Sequence, residues 1–337
     1  MKQLNQADIS ALRRDNRLSE AIGGQNLIYG CMNLASSWDD TPLTDEQAAR
    51  GFSTIEKALE LGFTTFDHAD IYCRGKSEEL FGRFLAQQAD RFRESIIIQS
   101  KAGIRFPDDG GEGTPGRYDF SPEHIRSSVE GILERLNCGY LDLFLLHRPD
   151  PLADIPALGR ELRKLQNEGL IHYVGVSNHS ASQIQALKKL GEIEITVNQM
   201  EISLGHRNLI EAGVLINQNH GDRALRSQGT LEYCMSEDIQ LQAWSPLFRG
   251  RYSGGAADLS ESEQRLRDYV SALAAEKDSS PEAIVLSWLM RHPAGIVPVI
   301  GSTHSGRMAA CAGADGSLLS REEWYQLFVL SREEPLP

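Results

Sequence analysis

The chain has too few cysteines, too scattered, for a covalent framework: Cys31, Cys73, Cys138, Cys234 and Cys311 are five in 337 residues, with no C-x-x-C among them. That pattern excludes a disulfide scaffold and a zinc ribbon, and reduced thiols are the expectation. No apolar run is long enough to cross a membrane, and the opening MKQLNQADISALRRDN has no apolar core of a signal peptide. A cytoplasmic protein without a membrane anchor is expected. The 34 Lys and Arg are outnumbered by 47 Asp and Glu, a net charge of −13, and the basic residues are dispersed. This argues against a nucleic-acid surface and against an acidic-membrane partner. Also missing is G-x-G-x-x-G, the glycine-rich turn that a doubly wound dinucleotide-binding sheet requires.

What is present is alternation. Short β-branched or aromatic runs begin near residues 27, 63, 95, 141, 171, 195, 239 and 296, and helical patterns lie between them. Runs of this kind suit strands buried on both faces. SEELFGRFLAQQ (77–88) predicts a helix with Ser77 as N-cap, and SPEHIRSSVEGILERLN (121–137) one with Pro122 at its first position. Eight strand–helix units without a residue-level repeat predict a single-domain (β/α)8 barrel. The length suits one barrel of roughly 250 residues plus extensions, which fall over 1–26, 105–119, 205–230 and 302–337. RFPDDGGEGTPGRYD (105–119) follows a barrel strand, reads as structureless, and is a candidate loop over a site.

Four residues stand at or just beyond strand ends: Asp67 and Tyr72 in FDHADIY, Lys101 in IIIQSKAG, and His147 in DLFLLHRP. In a barrel the strand C-termini share one face, so the four are expected to meet there. Together they suit carbonyl reduction. A phenol supplies a proton to the developing oxyanion, an ammonium beside it lowers the phenol's pKa, a carboxylate orients the ammonium, and an imidazole donates a second hydrogen bond. Singly, each has a plainer reading: a strand-end cap for Asp67, packing for Tyr72, solvation for Lys101, a satisfied ring for His147. His68 and Asp70 beside them invite a second reading, a metal-dependent barrel hydrolase. H-x-D is a short and common string, however, and no metal is expected.

The ordered set GFTTFDHADIY, the Lys101 strand end, YLDLFLLHRPDP, GLIHYVGVSNH, VNQMEIS, QAWSPL and VPVIGSTHSGR resembles the aldo-keto reductases, over about residues 27–307. The resemblance implies a TIM barrel and a tetrad of Asp67, Tyr72, Lys101 and His147. It also implies NADPH/NADP+ bound without a Rossmann fold, and reversible reduction of aldehydes or ketones to alcohols. Cofactor contacts carried over by position are Gly30, Met32 and Asp67, with Ser177, Asn178 and Gln199 at the nicotinamide carboxamide and Trp244 stacked on its ring. Ser245, Leu247, Arg249 and Gly250 fall beside the pyrophosphate. Gly301, Ser302, Thr303 and Arg307 fall at the adenosine 2′-phosphate, at the head of the C-terminal cofactor-binding helix and extension (302–337). Hydroxyls plus an arginine there favour NADPH over NADH. Ala310 and Cys311 stand where many members place polar or acidic groups against adenine. The partner implied is a small-molecule carbonyl substrate, and a monomer is the family default. An alternative within the same resemblance is an NADPH-binding redox sensor like potassium-channel β subunits.

Candidate pocket residues are Met32, Phe106, Arg117, Tyr118, Arg148 and those after Phe248, with Arg105 and Arg148 able to pair a substrate carboxylate if they point inward. Cys31 and Cys73 lie near Gly30 and Tyr72, which motivates a thiol-sensitive activity. Packing is the plainer role for Cys31.

Overall fold

A computed structural model of the protein describes residues 27–89, 91–215, 229–254, 256–332 and 335–337. The expected extension over 1–26 and residues 216–228 of the stretch 205–230 lie outside these residues. The strands are β1 (Ile28–Gly30), β2 (Thr65–Asp67), β3 (Ile97–Ala102), a short pair β4 (Ile104–Arg105) and β5 (Arg117–Tyr118), β6 (Leu141–Leu146), β7 (Ile171–Ser177), β8 (Val197–Glu201), β9 (Gln240–Trp244) and β10 (Val297–Ile300). Eight of them form a closed barrel in the order β1-β10-β9-β8-β7-β6-β3-β2. This is the (β/α)8 fold that the alternation predicts. Two compact units make up the chain, Tyr29–Gln199 and Met200–Pro337, the latter with the residues before Tyr29.

In the first unit, register decides which side chains meet. Asp67 lies opposite Gln99, and Lys101 opposite Leu145. Because side chains alternate, Asp67, Gln99, Lys101, Leu143 and Leu145 share one face of the sheet, and Ile98 and Ser100 the other. Ser100 Oγ donates to Glu78 Oε1 of the outer helix at 2.6 Å, so the first set faces the barrel interior. Leu143, Leu145 and Val197, with Tyr173 against them, pack together on that face. An apolar layer thus lies beside the charged one.

The helices here begin where short polar side chains cap them. Thr44 caps α1 (Asp45–Glu60), Ser121 caps α3 (Pro122–Leu136), Asp154 caps α4 (Ile155–Asn167) and Ser180 caps α5 (Ala181–Gly191). Helix α2 (Lys76–Leu85), between α1 and α3, corrects the expectation at Ser77. Its N-cap is Gly75 at φ 84°, and Ser77 is fully buried inside the first turn. The preceding turn needs a left-handed residue, which only glycine adopts without cost, and the helix starts straight after it. The stretch 105–119 also corrects its expectation, because β4 and β5 pair antiparallel within it.

In the second unit, β9 and β10 run parallel, with Val299 opposite Trp244. The helices there are α6 (Asn208–Val214), α7 (Thr230–Ser236), α8 (Glu261–Glu276), α9 (Pro281–Met290), α10 (Ser305–Ala312) and α11 (Arg321–Leu330). Helix α9 is apolar and buried nearly all round. Its Trp288 stacks on Trp324 at 5.3 Å between centroids, and Trp324 Nε1 donates to the Trp288 carbonyl at 2.8 Å.

Candidate active site

Strand ends in the first unit bring the four expected residues together. Asp67 closes β2, Lys101 lies near the end of β3, His147 follows β6, and Tyr72 opens a tight turn over Tyr72–Gly75. Lys101 is 1% exposed; its Nζ donates to Asp67 Oδ1 at 2.6 Å and to the His68 carbonyl at 2.8 Å. The same nitrogen lies 5.0 Å from the centre of the Tyr72 ring, close enough for its charge to act on the phenol. His147 meets Tyr72 edge to face, with centroids 6.2 Å apart. Gln99 and Gln199 also donate to Asp67 Oδ1, at 2.5 and 3.0 Å.

Burial opposes each charge in this cluster, and its neighbours decide the outcome. Burial alone pushes the Lys101 ammonium down, but the Asp67 carboxylate and the Tyr72 hydroxyl outweigh it and the pKa rises, so Lys101 is charged. His147 is pushed well below the ordinary imidazole range by burial, then by Lys101 and Arg148, and is neutral. Tyr72 departs from the expectation of a lowered phenol. Burial raises it to about 12, and Lys101 pulls in the expected direction without overcoming burial. The ammonium's effect is therefore to limit the rise.

The turn that carries Tyr72 is held in an uncommon conformation. Cys73 at φ 50° and Arg74 at φ 56° are both left-handed, at a cost of about 1–2 kcal/mol each. Contacts to the loop after β1 hold it. Cys73 Sγ lies 3.2 Å from the Met32 carbonyl, and Arg74 Nε donates to the Trp38 carbonyl at 3.0 Å. Arg74 also lies over the Phe106 ring at 4.8 Å. Lys76, almost buried, donates to Ser37 Oγ, the Asp39 carbonyl, Asp39 Oδ1 and the Thr41 carbonyl at 2.5–3.1 Å. The sequence reading missed Lys76 and Gln99. Lys76 carried no signal, whereas Gln99 is a polar residue inside IIIQSK, two positions from Lys101 and so on the same face.

Other expected residues of this unit are found as follows. Gly30 lies opposite Asp67 in the β1–β2 register, and Met32 is 43% exposed. Ser177 Oγ donates to the Gln199 carbonyl at 3.0 Å, and Asn178 Nδ2 to Ser177 Oγ at 2.9 Å. Asn178 is left-handed at φ 60°. Buried His179 supports that turn, with Nδ1 2.9 Å from the Ser177 carbonyl and its own carbonyl accepting from Asn198 Nδ2 at 2.9 Å. Arg105 is engaged by Asp109 and Asp119, so the expectation that it pairs a substrate carboxylate is corrected. The thiol-sensitive reading is corrected too, because Cys31 and Cys73 are fully buried and burial pushes the Cys31 thiol up. His68 is also fully buried, edge-on to Phe81 at 4.8 Å. Among the described residues no group of three or more His, Cys, Asp or Glu is arranged to hold a metal ion.

In the second unit, Trp244 ends β9 and the chain then turns left-handed at Ser245, Phe248, Arg249 and Gly250. Leu247 lies within that turn at φ −90°. The turn is braced by Phe248, which stacks on Tyr252 and closes over Gly205, where a Cβ would come within 2.4 Å of the Phe248 ring. After β10, Gly301, Thr303 and Arg307 are exposed and Ser302 is partly buried. Helix α10 starts there with His304 as N-cap and no side-chain cap, unlike α8, α9 and α11, which Ser260, Ser280 and Ser320 cap. An uncapped helix N-terminus beside hydroxyls and an exposed arginine fits a phosphate group. Cys311 is buried in the helix's inner face, and the Ala310 carbonyl accepts from Ser280 Oγ.

Comparison with known proteins agrees with this geometry. The aldo/keto reductase family model matches residues 26–328, and the chain belongs to that family. It is 30% identical over 326 residues to an uncharacterised oxidoreductase (YcsN) of Bacillus subtilis, covering 95% of this chain and 99% of that protein. It is 31% identical to 6-dehydroglucose reductase of Agrobacterium fabrum, covering 93% of this chain and 96% of that one. The glycerol dehydrogenase structure from Gluconobacter oxydans is similar in fold, with a TM-score of 0.75 at 22% identity over 91% of each chain. The protein is an oxidoreductase of the aldo-keto reductase family, a family of typically NAD(P)H-dependent enzymes acting on small carbonyl compounds. No helix among the described residues is long and apolar enough to cross a membrane.

Proposed function

We propose that this protein reduces aldehydes or ketones reversibly to alcohols with NADPH, and that Tyr72 is the proton donor. The observation that carries the reading is the buried cluster in which the Lys101 ammonium holds Asp67 Oδ1 at 2.6 Å and lies 5.0 Å from the centre of the Tyr72 ring. When bound, the reduced nicotinamide supplies two electrons and one hydrogen to the carbonyl carbon. The Tyr72 O–H bond then breaks as its proton passes to the carbonyl oxygen, and the phenolate left behind is stabilised by Lys101. Neutral His147 has one N–H to donate to the same oxygen and adds no competing charge. Asp67 keeps Lys101 charged and oriented, and the alcohol forms without net charge at the carbonyl.

Residues of the first unit that would hold the nicotinamide end are Gly30, Met32, Ser177, Asn178 and Gln199. In the second unit, Trp244 offers a flat surface for the ring, and the turn through Ser245, Leu247, Arg249 and Gly250 offers left-handed backbone at Ser245, Arg249 and Gly250 and the Arg249 guanidinium for anionic groups. Gly301, Ser302, Thr303 and Arg307 would take the 2′-phosphate at the head of α10 and so favour NADPH. A monomer suffices for this reading. The name of the Agrobacterium relative supports a sugar carbonyl as the first substrate class to test.

The test follows NADPH consumption against a panel of simple aldehydes, ketones, dicarbonyls and oxidised sugars, for wild type and Tyr72→Phe. Turnover is expected to fall about 10³-fold in the variant with cofactor binding retained. A wild type that binds NADPH and turns over no carbonyl refutes the enzymatic reading and favours a cofactor-sensing role.

A further inference from the structure

Asp67 Oδ1 accepts from three donors: Gln99 Nε2 at 2.5 Å, Lys101 Nζ at 2.6 Å and Gln199 Nε2 at 3.0 Å. Of these, Gln99 has no part in the proton transfer or in cofactor binding as described above. It is 1% exposed, lies directly opposite Asp67 in the β2–β3 register, and precedes Lys101 by two residues on the same interior face. A carboxylate oxygen only accepts, so the amide presents its nitrogen to Asp67. The contact puts a neutral donor on the oxygen that also anchors the ammonium.

We propose that Gln99 is a positioning residue for proton transfer: by occupying Asp67 Oδ1 it weakens that carboxylate's hold on Lys101 and keeps the ammonium's field on the Tyr72 hydroxyl. The inference rests on Tyr72 being the proton donor. Its physical basis is competition, since a hydrogen bond to an ionised acceptor draws off part of the charge that would otherwise bind the cation. Burial raises Tyr72 to about 12, so Lys101 is the group that opposes the rise, and a small change in its balance alters the phenol's acidity. The titratable and charged groups around this cluster are Asp67 on β2, Lys101 on β3, Tyr72 in its turn, His147 after β6 with Arg148 beside it, and Cys31 after β1, with Glu78 of α2 and His68 on the outer side. Asp70, which burial raises to about 8, lies between β2 and the turn; it titrates alike in wild type and both variants, so the comparison of limbs is made against it.

The test compares wild type, Gln99→Leu and Gln99→Glu, with Tyr72→Phe as baseline. It measures kcat against pH in both reaction directions, KM, cofactor Kd and Tm. For Gln99→Leu the alkaline limb of carbonyl reduction is expected to move up by about one pH unit, and alcohol oxidation near pH 8 to fall about tenfold, with Kd within about twofold of wild type. For Gln99→Glu the introduced carboxyl lies against Asp67 and retains its proton at low pH, donating as the amide does. Rates near wild type at about pH 6 and a progressive loss as pH rises are therefore expected. This signature persists even if Gln99→Leu does not fold. A glutamine that merely packs would lower rates and Tm together with the limbs unmoved. Wild-type turnover with superimposable limbs in the variants overturns this inference alone. A wild type that turns over no carbonyl overturns the Tyr72 reading and this inference with it.

Discussion

Polar groups are treated in opposite ways in two regions of the molecule. Around Asp67, Lys101 and Lys76 are nearly or fully buried and each is bound by oxygen partners. After β9 and β10, Arg249 and Arg307 are exposed, and no acidic side chain pairs with either among the described residues. Buried charges need partners at all times, because desolvation costs several kcal/mol per ion. Exposed guanidiniums cost nothing to hold and are available to a diffusing anion. The first region has the properties of chemistry organised in advance, and the second those of a surface for binding.

The contrast is broken most severely at Lys101. Lys101→Met leaves Asp67 buried without its cation, and a loss of 3–5 kcal/mol in stability together with at least about 10³-fold in turnover is expected. Denaturant unfolding and a turnover assay check this.

His68 probes the same region through pH. Burial, then Lys101, lowers its pKa from 6.5 to about 3. A depressed folded value means that the unfolded chain takes up the proton first, so the contribution is fully present above about pH 6.5 and is lost as pH falls toward 3. Between pH 7 and 4 wild type is expected to lose about 3 kcal/mol relative to His68→Leu. Parallel unfolding curves for the two proteins across that range would contradict it.

Lys76→Met removes charged hydrogen bonds from the turn that holds Tyr72. Stability is expected to fall by about 2 kcal/mol and kcat by about tenfold, with partial recovery in added methylammonium. A Tm series and kcat with and without the amine measure this. The smallest effect belongs to the exposed region. Arg307→Ala is expected to weaken NADPH about tenfold, leave NADH binding unchanged, and leave Tm within about a degree. Cofactor titration with both nucleotides separates these results, and equal losses for the two would remove the phosphate assignment.

Much of this contrast is legible in the sequence, and its limits are specific. Asp67, Lys101 and His147 could be placed because each ends a run whose apolar pattern marks a buried strand. Gln99 could have been placed by the same period of two. Lys76 and Arg74 could not, because their partners lie 35–39 residues away across a turn, and nothing local marks the contact. Ser77 misled as an N-cap because composition cannot tell a capping serine from one buried a turn later.

The acidity of Tyr72 shows the same divide. Which cation stands beside it followed from strand order, and the sequence by itself determined the barrel, the residues at its strand ends and the family to which the chain belongs. Only the tertiary structure decided that burial outweighs that cation, that the hairpin at β4 and β5 occupies Arg105, and that both thiols near the site are enclosed. Periodicity and order are local properties carried by residue type, whereas desolvation and pairing depend on what other segments bring to the same few ångströms.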